Sequence, residues 1–156
     1  MKTVMPSTTV HIEAPAERVW ALVTDVTRVG EWSPETVRAE WLDGARGPAV
    51  GARFRGHNKR RGSWSTTCTV TATEQGREFA FSVGKDETRW RYQFAPESGG
   101  CAVTESFEIV RTPGAVGRFL AKIGTGVRWS EREADLVRGM EETLRRLKAV
   151  AEVAQA

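Results

Sequence analysis

The stretch SWSTTCTVTATEQGREFAFSVGKDETRWRYQFAPESGGCAVTESFEIV, residues 63–110, decides the fold. A strand sends successive side chains to opposite faces. Residues 63–73 therefore sort into Trp64, Thr66, Cys68, Val70 and Ala72 on one side and Ser63, Ser65, Thr67, Thr69, Thr71 and Thr73 on the other. The second set is all hydroxyl and is expected to face water. Residues 77–83 turn Phe79, Phe81 and Val83 inward. Residues 88–94 turn Trp90, Tyr92 and Phe94 inward, with Arg89, Arg91 and Gln93 outward. In residues 101–109 the inward set is Cys101, Val103, Glu105, Phe107 and Ile109. Turn chemistry at Gln75-Gly76, at 84–87 and at 96–100 separates the runs, so they read as one antiparallel meander. The inward set mixes apolar with polar groups, which predicts a lined cavity rather than a plain core.

Working outward, residues 8–13 form a short strand, and Pro15 stands at the first position of a helix, where its missing N–H is harmless. Val19, Leu22, Val23 and Val26 make its apolar stripe. A second helical segment at 29–32 ends before Ser33-Pro34, because proline biases its predecessor away from helix. Residues 36–42 and 52–59 are two more strands around a Gly- and Pro-rich loop at 43–51. From Ser130 the period becomes helical, with Leu136, Met140, Leu144, Leu147 and Ala151 on one stripe, and Ser130 with Glu133 is placed as a capping box. A twisted sheet of about six strands curls. A C-terminal helix of roughly 20 residues can then lie across its concave face, leaving a pocket between them.

Composition narrows the class. At 156 residues, 40% hydrophobic and 28% charged, the chain is read as one soluble globular domain over residues 1–156 with its core at about 8–150. No run approaches the roughly 20 apolar residues that span a bilayer, and residues 1–10 lack the apolar segment of a secretory signal. A cytoplasmic location is expected by default. Net charge is +3 and the cations are dispersed apart from Lys59-Arg60-Arg61, so nucleic acid is not an expected partner. Two cysteines, Cys68 and Cys101, make no disulfide framework and are read as reduced, buried thiols.

The segments VHIEAPAERVWALVTDVTRVGEWSPE (10–35), GARFRGHNKRRGSWSTTCTV (51–70), RWRYQFAPESGGCAVTESFEI (89–109) and MEETLRRLK (140–148) resemble the START-like helix-grip superfamily called SRPBCC, and within it the polyketide cyclase/dehydrase-like branch. The resemblance covers about residues 8–150. It implies an α+β helix-grip fold: a curved antiparallel sheet of six to seven strands around a long C-terminal helix, with two short helical segments after the first strand. It also implies a deep cavity for a hydrophobic or polycyclic molecule, with activities in relatives ranging from aromatic ring cyclisation to lipid carriage and ligand sensing. None of these segments specifies a reaction.

Glu105 is the one carboxylate on an apolar face. An unpaired ionised carboxylate is costly to bury, so it needs a hydrogen-bond partner, water or a proton. A raised pKa would suit it to general acid or base work; the competing reading is a structural partner or a bulge that turns it outward. Asn58 either orients a ligand hydroxyl or carbonyl or caps a turn at its strand end, with Gly56 leaving space beside it. Trp64 and Trp90 are core packing first and ligand contacts second, and either indole N–H could serve Glu105. Tyr92 is a proton donor in the pocket or a hydroxyl reaching water. Trp32, Phe54, Thr66, Phe81, Phe107, Leu136 and Met140 complete the expected binding wall.

His11 and His57 fall on outward faces, so neither a histidine-based metal site nor a catalytic triad is expected, and Cys68 has no neighbouring base. No phosphate loop or dinucleotide fingerprint follows a strand, and no cofactor is implied. Residues 32–35 and the Gly-rich 112–129 segment are the candidate gates, the latter either a mobile apolar helix over the entrance or an ordinary packed helix. Three readings of function follow. The first is a carrier or sensor of a hydrophobic ligand, as monomer or homodimer. The second is a polyketide aromatase/cyclase or dehydrase with Glu105, and tentatively Tyr92, in catalysis. The third is an interaction domain with a filled core.

Overall fold

A computed structural model describes residues 5–153. The reading of residues 1–10 as no secretory signal falls partly on residues 1–4, outside them. Seven strands form one antiparallel sheet: β1 (Ser7–Ile12), β2 (Thr36–Trp41), β3 (Arg53–Lys59), β4 (Ser63–Glu74), β5 (Glu78–Val83), β6 (Thr88–Glu97) and β7 (Gly100–Ile109). Their order across the sheet is β1-β7-β6-β5-β4-β3-β2. The meander of residues 36–109 thus runs consecutively, and β1 closes it by pairing with β7. Helix α1 (Ala16–Thr24) and a 3-10 turn (Val26–Glu31) join β1 to β2, and α2 (Ala115–Thr125) and α3 (Trp129–Val153) follow the sheet. This is the α+β helix-grip arrangement.

The amphipathic patterns explain the packing. On α3, Met140, Leu144, Leu147 and Ala151 are each at most 1% exposed, spaced to make one stripe against the sheet. The stripe divides the helix. Leu144, Leu147 and Ala151 join the core with Ile12, Val103 and Phe94, whereas Leu136, Gly139, Met140 and Thr143 face a cavity. Helix α1 buries Val19 and Val23 and is pinned by the Trp20 indole, which donates to the Glu78 carbonyl at 2.8 Å.

Four local expectations change. Proline 15 is the N-cap of α1 rather than its first helical residue, with extended backbone at ψ 142°. Helix α3 starts at Trp129, so Ser130 lies inside its first turn, and among the described residues its hydroxyl makes no hydrogen bond in place of the expected capping box. The second helical segment starts three residues early, at Val26, where the Asp25 carboxylate accepts from the Thr27 N–H at 3.2 Å. The fourth is a bulge in β4. Val70 pairs with Phe81 but Ala72 pairs with Ala80, so one extra residue, Thr71, is inserted. Beyond it the alternation flips. Thr73 pairs with the inward Phe79, and its Oγ1 is buried without a hydrogen-bond partner among the described residues, contrary to the water-facing position its hydroxyl predicted.

Candidate ligand cavity

Between the concave face of the sheet and the N-terminal half of α3 lies a cavity of about 970 Å³. That is the upper end of the range occupied by drug-sized ligands. Of the residues expected to form a binding wall, Trp32, Phe54, Asn58, Trp64, Thr66, Phe81, Trp90, Tyr92, Glu105, Leu136 and Met140 all line it. Phe107 does not. It is 1% exposed and lies against its cross-strand neighbour Trp90, with ring centroids 5.0 Å apart and planes tilted by 32°. The apolar lining is aromatic and interlocked: Phe54 meets Trp41 and Phe81 edge-on at 5.5 and 5.2 Å, and Phe81 meets Phe79 at 5.7 Å. Such geometry fixes ring positions by their quadrupoles as well as by burial.

On the sheet, two separated stations of hydrogen-bonding side chains stand in this wall. The first is on β6 and β7, where the ladder sets Tyr92 directly opposite Glu105. Both side chains point inward because neither strand carries a bulge between them. Glu105 is 3% exposed, its Oε2 has no hydrogen-bond partner among the described residues, and burial pushes its pKa up to about 8 against the opposing effect of the Tyr92 hydroxyl, its hydrogen-bonding neighbour. It is therefore mostly a neutral carboxylic acid at pH 7, able to donate a hydrogen bond. Burial, then the Glu105 charge, drives the Tyr92 pKa upward as well. No indole serves Glu105 among the described hydrogen bonds; the tyrosine holds that place.

The second station crosses β2, β3 and β4. Thr36 Oγ1 donates to Asn58 Oδ1 at 2.7 Å, and Asn58 Nδ2 donates to Thr66 Oγ1 at 3.2 Å. Thr66 is in turn hydrogen-bonded to Cys68, whose thiol burial pushes up to about 12. Asn58 is thus the centre of a cross-strand polar track and not the cap of a turn. One of its two N–H groups has no partner among the described residues. Gly56 is what opens this station. A Cβ there would sit 3.3 Å from Thr66 Oγ1 and 3.4 Å from Thr36 Cγ2.

A network of ion pairs that neither spacing nor alternation announces also lines the cavity. Arg132 on α3 donates to Asp135 at 2.6 Å and to Glu35 at 3.0 and 3.1 Å, while Arg60, in the β3–β4 turn, donates to both acids at 3.1 to 3.3 Å. All four line the cavity. Burial works against the Asp135 charge, but the two guanidinium groups overcome it and hold its pKa below the usual carboxylate range. The network fastens α3 to the start of β2 and to the β3–β4 turn. Its members lie up to 100 positions apart, so neither spacing nor alternation could have joined them.

The histidines fall outside the cavity, as expected, but they are not merely solvated. His57 Nε2 meets both Glu40 carboxylate oxygens at 2.8 Å and its Nδ1 lies 3.3 Å from Ser65 Oγ, while His11 pairs with Glu97. The three-residue cluster sits on the outward side of β2–β4, away from the residues that line the cavity. Among the described residues no group of His, Cys, Asp and Glu could hold a metal ion, and no helix is long and apolar enough to cross a membrane. The candidate gate at 112–129 contains helix α2, whose Leu120, Ala121, Ile123 and Gly124 edge the cavity beside Trp64.

Solved structures share this architecture. A polyketide-cyclase-like protein from Corynebacterium glutamicum is 30% identical, with 99% of this chain and 93% of that one covered, at a TM-score of 0.55. One half of the di-domain ARO/CYC protein StfQ, from the steffimycin biosynthetic pathway, superposes at a TM-score of 0.73 and 16% identity, covering 97% of this chain and 51% of StfQ. An AHSA1-like protein from Aeromonas hydrophila gives 0.62 at 23% identity, over 94% of each chain. The latter two likenesses are of fold alone. Among curated proteins, none matches the sequence. Residues 5–152 match the family described as polyketide cyclase/dehydrase and lipid transport, and the chain belongs to that family.

Proposed function

We propose that the protein binds an elongated or flat apolar small molecule that carries oxygen functions at both ends. The observation that carries this reading is the separation of the two polar stations by an aromatic wall. Asn58 on β3 and Tyr92 on β6 are three strand spacings apart across the sheet, about 14 Å in that direction, and they are also offset along the strands: Asn58 pairs with Trp64 at the start of β4, whereas the row of Tyr92 and Phe79 reaches β4 at Thr73, near its end. Phe54, Phe79, Phe81 and Trp90 lie between or beside them. The neutral Glu105 suits a carbonyl oxygen, which accepts, and the spare Asn58 N–H suits a carbonyl or hydroxyl oxygen at the other end. A cavity this large and apolar is also hard to reconcile with a filled interaction domain.

The test is a titration of intrinsic tryptophan fluorescence with acyl chains, sterols and flat polycyclic phenols. Trp64→Phe and Trp90→Phe variants locate the signal. Saturable quenching lost in either variant supports the reading, and silence across the panel refutes it.

One observation favours a second reading, an enzyme of the cyclase or dehydrase type. A buried carboxyl with a pKa of about 8 on the cavity wall can give and take a proton near neutral pH. In a dehydration, Glu105 would protonate the departing β-hydroxyl and the resulting carboxylate would take the α-proton, releasing water and leaving a C=C bond. Positioning by the aromatic wall would add to the acid–base contribution. Glu105→Gln separates the readings: turnover disappears while saturable binding persists if catalysis occurs, and no turnover is found in either protein if the site only binds.

A further inference from the structure

Helix α2 carries an apolar stripe that faces outward. Val116, Phe119, Leu120 and Ile123 recur at i, i+3, i+4 and i+7, yet they are 73%, 62%, 60% and 53% exposed. They are four of the eight large exposed hydrophobics among the described residues, gathered on one helix of eleven. The side turned to the protein is made of small residues, with Thr125 buried and Gly117, Ala121 and Gly124 half-buried. The sequence expects an apolar stripe to be covered; here it is the stripe that is bare.

Charge says what would cover it. Between positions 110 and 130 there are four cations, Arg111, Arg118, Lys122 and Arg128, and no acid. Arg118 and Lys122 form no ion pair among the described residues. At about 100° per residue, Lys122 lies about 60° from Phe119 around the helix, so a cationic row runs along one edge of the stripe. The β3–β4 turn adds Arg61 beside Gly126, and the Gly62 N–H donates to the Gly124 carbonyl at 2.7 Å. A second copy of this chain, docked stripe to stripe, would bring these cations against one another. An anionic lipid surface satisfies both features: acyl chains accept the stripe while phosphate groups meet the cations.

We propose that α2 is a docking face for anionic membrane surfaces, lying in the plane of the interface. Because Leu120 and Ile123 also edge the cavity, docking would set the cavity entrance against the lipid. The docking itself is independent of what the cavity holds.

The experiment is flotation of the full chain with vesicles of phosphatidylcholine alone or mixed with phosphatidylglycerol, at low and high salt. The expected result is binding to the anionic vesicles only, weakened by salt. Arg118→Gln/Lys122→Gln should weaken it about 30-fold, from the attraction of each cation to such a surface. Phe119→Ser/Leu120→Ser should reduce it at least as much. All these side chains are exposed, and circular dichroism reports whether the variants keep the fold. Absence of binding to anionic vesicles, or binding unchanged in both variants, overturns the proposal. So does a concentration-dependent dimer that Phe119→Ser/Leu120→Ser abolishes, since the stripe would then be an interface between copies.

Discussion

Replacing Glu105 by Gln should stabilise the protein, and by an amount that grows with pH. In the unfolded chain this carboxyl titrates near 4.5, and in the folded protein burial raises it to about 8. Between those values the folded state holds a proton that the unfolded state has released, so stability falls as pH rises. The contribution is fully present below pH 4.5 and gone above pH 8. Each pH unit within the window costs about 1.4 kcal/mol, which accumulates to about 3 kcal/mol at pH 7 and about 5 kcal/mol across the whole interval. Glutamine keeps the shape and the acceptor for Tyr92 but cannot ionise. Every other titrating group is common to the two proteins, so the difference between them isolates this one carboxyl. The assay is urea unfolding of both proteins from pH 4 to 9. With a urea slope of about 2 kcal/mol/M, the midpoints should separate by about 0.7 M for each pH unit above 4.5 and stop separating beyond pH 8. Parallel midpoints across the range would refute the reasoning. Glu105 would then ionise near its ordinary value in the fold, and the neutral acid on which the first polar station depends would not exist.

Three further outcomes follow from particular contacts. Arg132→Gln strips two acids of their principal cation, leaving Asp135 at 8% exposure with only Arg60; a loss of about 3 kcal/mol is expected by chemical denaturation, and since the Asp135 pKa is held down in the fold, its stabilising share disappears as pH falls, and with it the wild-type advantage over the variant. Leu147→Ala, at a fully buried position where α3 meets the core, should cost about 2–5 kcal/mol by the same assay without altering ligand affinity, because Leu147 lies outside the cavity wall. Cys68, with its thiol raised to about 12, should resist iodoacetamide at pH 8 in the folded protein and react once urea unfolds it, as mass spectrometry would show.

The alternation in residues 63–110 was enough to place Trp90, Tyr92 and Glu105 on one face because β6 and β7 pair without interruption around a short hairpin. The same alternation fails at Thr73, two residues past the extra Thr71 of a bulge that no turn residue announces. Asn58 was found by alternation but its partner Thr36 was not, since that contact depends on the register across the long 43–51 loop. The Glu35–Arg60–Arg132–Asp135 network was invisible for the same reason: it joins three elements whose proximity exists only after the sheet curls and α3 crosses it. Phe107 shows the limit of treating an inward face as a cavity face. By alternation it belongs to the inward set, but it is buried against Trp90 and does not line the cavity. Helix α2 could be located from its glycines, whereas its bare stripe emerged only with the packing.

On the proposed function, one largely apolar cavity reads oxygen functions at two places. Isothermal titration with a matched pair of polycycles, one oxygenated at both ends and one at a single end, tests it most directly when done on the wild type and on Asn58→Leu. The account predicts about fivefold tighter binding of the doubly oxygenated ligand to the wild type, the worth of one hydrogen bond, and equal affinities in the variant. Equal affinities in the wild type, or no saturable heat with either ligand, would contradict it.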